Sequence, residues 1–489
     1  AAVGGLGAAD IYMGVITLPY YLGVPSEDDP EAPLEDFWQA APGAYVGPFD
    51  TLGLDPTSTY VTVANPFPVV TSMQTVPVLM TVPNANSGKT KPAAGWPVVI
   101  FGHGIGNDRS NMLAVADTAA AAGYAVIAID APLHGISPDD PDLAMLYIGN
   151  TPFAPIANER TFDLDIDEDG VVDSSGTHYL NLASLLTFRD NLRQSIIDYS
   201  TLAVTVPTIS YDGDALPDLD GSTIQYAAMS ASAMAGPALV SIEPMINSAF
   251  LSVPGGGVAR MLEASSYFGP AIRAGLAEKG IEPGSSDYEL FLLVWQTVID
   301  SADPINWGAE ATRHNNIVLH EVLDDFLVPN YVPTAPLSGT EPLIRAMGLK
   351  AYSSTQQSAS GLDLVGRFPK PAHHWSFISP INPVFGTDAT NVFMEMQRQF
   401  ASFIASKGKA VVVTDASVMV PEAGAAMATP SAPNLSEGGK SKKARGSRTE
   451  APSTLTEAVG KLGAVAKPAF RPSKSPKVGD KARDHGRLK

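Results

Sequence analysis

The chain has 489 residues, 45 % of them hydrophobic, with no cysteine and a formal net charge of −20, which is enough to bury a large core in one domain with insertions or in two. The lack of cysteine excludes disulfide staples, thiolate metal sites and a cysteine nucleophile, and with no run of about 18 apolar residues no integral membrane segment is expected. The charge is uneven: from Glu437 onward 14 Lys/Arg stand against 5 Asp/Glu, and the residues before it carry 17 against 46, a net −29, which disfavours nucleic acid and anionic membranes as partners and favours solubility in a salty or extracellular setting.

The first residues, Ala1 to Gly7, have no basic or hydrophobic leader region, so no signal peptide is read in this chain, and a start without Met suggests a processed or truncated product. Residues 1–90 form a β-rich segment, with short runs such as Ile11 to Leu18 and Tyr60 to Val63 among Pro, Thr and turn residues; they feed a sheet or form a small β-rich lobe. From residue 91 the pattern changes. A buried strand over 97–102 ends in His103-Gly104-Ile105-Gly106, a helix follows from about Asn107 to Gly123, and a second strand covers Tyr124 to Asp130. Strand, helix and strand at this spacing make a parallel βαβ unit.

A long acidic connection comes next. In it Asp165, Asp167, Asp169 and Asp173, with Gly170 at the turn, have the D-x-D-x-D-G-x-x-D spacing of a calcium loop. The twelfth position is Gly176 and not the bidentate Glu of an EF-hand, so the readings are a structural calcium site or a solvated acidic loop. A helix from about Leu180 to Ala203 leads to a strand ending near Ser230, another strand lies near Ala249 to Val253, and 91–254 is the first part of an α/β core. Residues 255–303 are a mostly helical insertion, a cap or an extra packed layer. The core resumes over 304–420 with a strand at Asn316 to Val322 and a helix from about Ala389 to Lys407, and 421–489 is a basic tail expected to be disordered.

The apolar run that turns at Ser230 into very small residues has the strand, tight turn and helix start that expose a nucleophilic serine. The usual frame is G-x-S-x-G, and this chain has Ala228-Met229-Ser230-Ala231-Ser232. Ala and Ser are the least bulky replacements for the glycines, and centring on Ser232 would put Met234 at a close-approach position, which favours Ser230. Acyl transfer by serine also needs a base, a carboxylate to orient it and N–H donors for the oxyanion. Asp325, in a D-x-x-V-P arrangement past the strand, is the candidate acid, with Asp324 the alternative. His374 is the candidate base, with His373 the alternative. The N–H groups of Ile105 and Ala231 are the candidate oxyanion donors, supported by His103, Gly104 and Met229. The order Ser, Asp, His is that of α/β hydrolases.

The chain also resembles the bacterial extracellular lipases and esterases of the virulence-factor type, within the α/β-hydrolase superfamily. The resemblance rests on residues 18–22 (Leu-Pro-Tyr-Tyr-Leu), 97–104 (Pro-Val-Val-Ile-Phe-Gly-His-Gly), 129–135 (Ile-Asp-Ala-Pro-Leu-His-Gly), 189–194 (Arg-Asp-Asn-Leu-Arg-Gln) and 300–304 (Asp-Ser-Ala-Asp-Pro). It implies a secreted or surface-exposed serine esterase acting on fatty-acyl esters. The chain departs from the family's Gly-His-Ser-Leu-Gly-like elbow at Ala228, Met229 and Ser232. The expected function is therefore a carboxylic-ester hydrolase that requires no cofactor and acts on a small-molecule or lipid ester. The alternatives are a phospholipase or lysophospholipase, or a catalytically impaired hydrolase-like binding protein. Oligomeric state is not readable.

Overall fold

The computed structural model describes residues 7–422 except 167 and 215, so the expected tail lies almost wholly outside the described residues. Nine strands form one sheet. In chain order they are β1 (Ala9–Tyr20), β2 (Ser72–Pro83), β3 (Trp96–Gly102), β4 (Ala125–Ile129), β5 (Leu219–Met229), β6 (Ile246–Ser252), β7 (Asn316–Val322), β8 (Lys350–Tyr352) and β10 (Asp363–Phe368). The spatial order is β1-β2-β4-β3-β5-β6-β7-β10-β8. The pairs β1·β2 and β2·β4 are antiparallel, and every pairing from β4 to β8 is parallel. A two-residue strand β9 (Gln356–Gln357) pairs with β11 (Ala410–Val411) at the margin.

The central strands β3 and β4 are short apolar runs buried at every position but Pro97, as expected of parallel strands covered on both faces. Side chains alternate between the two faces. Val99 and Phe101 join a core layer with α2 (Leu113–Ala122) and α10 (Thr390–Ala405), and Val98 and Ile100 join the opposite layer with α4 (Ser230–Ile242), α8 (Pro304–His314) and α9 (Thr340–Met347). The long helix α3 (Leu185–Thr205) serves both, with Phe188 and Leu192 in the first layer and Tyr199 and Leu202 in the second. This is the α/β-hydrolase fold, with the strand-to-helix turn after β5 at its centre.

The N-terminal β-rich segment is not a separate lobe, because β1 and β2 are the first strands of the main sheet. Two short helical turns, α1 (Ala32–Glu35) and a 3-10 turn at Phe49–Thr51, lie in the connection between them. Tyr60 to Val63 is not a strand: Tyr60 makes one isolated bridge to Gln39, Val61 packs beside Tyr20, Leu22 and Trp38, and Val63 is 78 % exposed. Residues 255–303 hold three helices, α5 (Val258–Ala264), α6 (Phe268–Glu278) and α7 (Ser286–Ile299). Buried Asp303 staples them to the body. Its carboxylate accepts the N–H groups of Gly257 and Val258 at the start of α5, that of Ile305 in α8, and the amide of Gln296 in α7. Among the described residues no helix is long and apolar enough to cross a membrane.

Two of the motifs behind the family resemblance have structural work here. Asp190 accepts the Trp38 N–H and pairs with Arg189 and Arg193, and the Gln194 amide bonds Pro19 O and Tyr21 N. The start of α3 is thus tied to the chain leaving β1.

Candidate active site

Strand β5 ends at Met229 with an extended backbone, and α4 begins at Ser230 with φ 52°. A left-handed conformation is uncommon for a non-glycine residue and is held only where surrounding packing over-determines it. Ala228 and Met229 are fully buried, and Ala228 pairs with Gly102 on β3 and with Leu251 on β6. The close approach that glycines usually give the turn itself comes instead from the neighbouring strand. A Cβ on Gly102 would lie 2.5 Å from Ser232 Cβ, and one on Gly104 would lie 3.2 Å from Ser230 Cβ. Gly102 thus leaves room for Ser232, and Gly104, in the loop after β3, leaves room for Ser230. Ser232 itself is buried, with its hydroxyl 3.0 Å from the Tyr199 hydroxyl and its carbonyl accepting from Tyr226 Oη at 2.8 Å. Ser230 and not Ser232 lines the clefts described below.

The loop after β7 separates its two aspartates. Asp324 has φ 57°, exposes its side chain and pairs with Lys370 at 3.2 Å. Asp325 is buried. Its Oδ1 accepts the N–H groups of Leu327 at 2.9 Å and Val328 at 3.3 Å, and its Oδ2 lies 2.7 Å from His374 Nδ1. An ionised carboxylate only accepts, so Nδ1 carries the proton and Nε2 keeps a free lone pair. His373, the neighbour, has both ring nitrogens buried with no hydrogen-bond partner among the described residues. Burial, and secondarily the imidazole of His374, push its pKa down to about 4. The structure joins Asp325 to His374 and leaves Asp324 and His373 apart.

Ser230 and His374 line one small cleft together with Gly104, Ile105, Asn107, Met229, Leu327 and Trp375. No hydrogen bond joins Ser230 to His374 among the described residues, and catalytic hydrogen bonds often tighten only when substrate is present.

The loop 103–107 is built from its carbonyls outward. Gly104 O is 2.8 Å from His103 Nδ1 and accepts the Asn107 N–H at 3.2 Å, and His103 Nε2 accepts the Ala131 N–H at 3.0 Å. The Ala131 bond leaves Nε2 unprotonated, so Nδ1–H donates to Gly104 O. Burial likewise lowers the His103 pKa and keeps the ring neutral. Because C=O and N–H of one planar peptide point in opposite directions, holding Gly104 O turns the Ile105 N–H away from His103. That N–H has no protein acceptor among the described residues. The Ala231 N–H lies in the first turn of α4, where helical N–H groups lack an internal partner. Asn107 Nδ2 donates to Ile105 O at 3.1 Å and clamps the next peptide.

Under this loop sits a buried ionic network that sequence reasoning did not find. Arg109 pairs with Asp130 and Glu159, and Arg160 with Asp198. Asp130 also accepts the Arg109 N–H at 2.6 Å. Arg109 and Glu159 are 50 residues apart, and nothing local marks them as partners.

The acidic loop is arranged differently. Asp165 accepts the N–H groups of Asp169 and Gly170, Asp169 accepts that of Val171, and Asp173 accepts the Ile166 N–H and pairs with His178 at 2.9 Å. Asp167 lies outside the described residues. Among those described no group of three or more His, Asp or Glu side chains is placed to hold a metal ion.

No family model and no curated protein matches the chain, so these comparisons give the resemblance to extracellular lipases no sequence-family support. Among solved structures the chain is similar to an acetyl xylan esterase from Paenibacillus sp. R4, at 15 % identity over 62 % of this chain and 75 % of that one, TM-score 0.37. It is similar to an esterase from Pyrobaculum calidifontis at 13 % identity over 68 % and 82 %, TM-score 0.34. Acetyl xylan esterase 1 from Thermoanaerobacterium sp. JW/SL YS485 aligns at 15 % over 66 % and 79 %, TM-score 0.36. Likeness at this level says nothing of this chain's chemistry.

Proposed function

We propose that this protein is a serine-dependent carboxylic-ester hydrolase, with Ser230 as nucleophile, His374 as base and Asp325 as the residue that orients it. The observation that carries the reading is the buried Asp325–His374 pair, 2.7 Å apart, at a cleft also lined by a serine held at φ 52° between a strand and a helix.

In this scheme Ser230 Oγ attacks the ester carbonyl while His374 Nε2 takes its proton. The imidazolium so formed is stabilised by Asp325, and the N–H groups of Ile105 and Ala231 receive the oxyanion. Collapse of the tetrahedral intermediate breaks the bond to the alcohol oxygen, which leaves with the proton from His374, and the acyl group stays on Ser230. Water then attacks the acyl-enzyme, giving its proton to His374, and the acid leaves as that proton returns to Ser230. The scheme calls on no metal or organic cofactor. The resemblance to extracellular lipases supports a secreted or surface location, which cell fractionation would test.

Replacing Ser230 by Ala is expected to lower kcat/KM for a simple aryl ester at least about 10⁴-fold, with the melting temperature checked in parallel. Equal rates for the purified wild type and variant would end the reading.

A further inference from the structure

Ser230 and Ile105 stand on the border of two spaces. One is the cleft with His374 and Trp375, of about 10 Å³. The other is almost wholly apolar, of about 40 Å³, and is lined by Ala231 and by side chains of the helices of 255–303, without His374. On the ester-hydrolase reading just given, on which this inference rests, the leaving alcohol takes its proton from His374 and so departs on the His374 side. The remaining substituent of the carbonyl carbon, the acyl chain, then points into the apolar space.

Buried side chains line that space, among them Phe188 and Leu192 of α3, Met234 of α4, Leu262 of α5 and Phe268 of α6. All five are buried, and the start of α5 is stapled by Asp303. A water-sized group takes roughly 10–15 Å³ of such space, so about 40 Å³ holds three or four carbon-sized groups past the carbonyl. We infer that this pocket selects short acyl groups, from acetyl to about five carbons, and that the helices of 255–303 act as its end wall. A fatty-acyl chain would have to displace packed side chains, which a close-packed interior resists.

The test is the chain-length profile of the full-length protein on p-nitrophenyl acetate, butyrate, octanoate and dodecanoate, with wild type, Ser230→Ala, Leu192→Ala and Phe268→Ala. In the wild type kcat/KM is expected to fall at least about tenfold between butyrate and octanoate. Each pocket variant that keeps a cooperative melting transition should raise the octanoate-to-butyrate ratio of kcat/KM by about tenfold or more. Wild-type octanoate hydrolysis as efficient as that of butyrate, abolished by Ser230→Ala, would overturn the pocket assignment and leave the esterase reading standing. A falling wild-type profile with the ratio unmoved in the folded variants would also overturn it, by placing the length limit elsewhere. No hydrolysis of any of the four esters would remove both.

Discussion

Two loops of this protein are rich in aspartate, 163–173 and 323–329, and they use it in opposite ways. In the first, Asp165 and Asp169 turn back onto the N–H groups of their own loop, and Asp173 pairs with His178 five residues away. In the second, Asp325 gives one oxygen to its own loop and the other to His374, 49 residues distant. The described aspartates of the motif with metal-like spacing bond close by in the chain, and Asp325 reaches across the fold. What separates them is burial and a long-range partner, since a carboxylate taken out of water needs a donor brought to it.

The comparison breaks most sharply at its aspartates. Asp325→Asn is expected to lower kcat/KM about 10⁴-fold by leaving His374 in the wrong tautomer, and Asp324→Asn less than about threefold because its charge is exposed and screened. Comparable losses in the two variants, measured on the same aryl ester, would erase the distinction between neighbours.

A smaller effect concerns the two adjacent histidines. His373 has a folded pKa of about 4 against about 6.5 when unfolded, so the unfolded chain binds its proton first as pH falls. Its contribution to stability is complete above about pH 6.5 and is lost as pH falls from there through about 4. In His373→Phe the fall in melting temperature across this window should be shallower than in wild type, by up to about one proton's worth of slope. Curves with the same slope would show that His373 does not titrate in this way.

The smallest expected effect is at the acidic loop. With Asp165, Asp169 and Asp173 engaged by their own loop and by His178, adding a chelator should move the melting temperature by less than about 1 °C, since removing a ligand destabilises only if it was bound to the native state. A fall of several degrees would assign the loop a bound cation.

Much of the fold was legible in local pattern. Apolar runs bounded by turn residues marked β3, β4, β5 and β7, and a 3.6-residue period marked α3 and α10, because buried strands and amphipathic helices write their burial into the chain. The runs that failed were those whose structure depends on distant partners. Tyr60 to Val63 has strand-forming residues and no sheet to join, whereas β10 contains Gly366 and Arg367 and is a strand because β7 and β8 flank it. Arg367 is tolerated there by its pairing with Glu321 and Glu341. The elbow shows the same limit: the missing glycines look damaging in one dimension, and only the fold brings Gly102 against Ser232 and Gly104 against Ser230.

By itself the sequence determined the order of the candidate residues along the chain and their positions past strand ends, because apolar runs and turn residues are local properties. Tertiary structure alone decided which of two adjacent aspartates meets which of two adjacent histidines. Consecutive residues in a tight loop point in different directions. Asp324, in a left-handed conformation, turns to solvent, and Asp325 turns inward to a histidine that arrives from another loop.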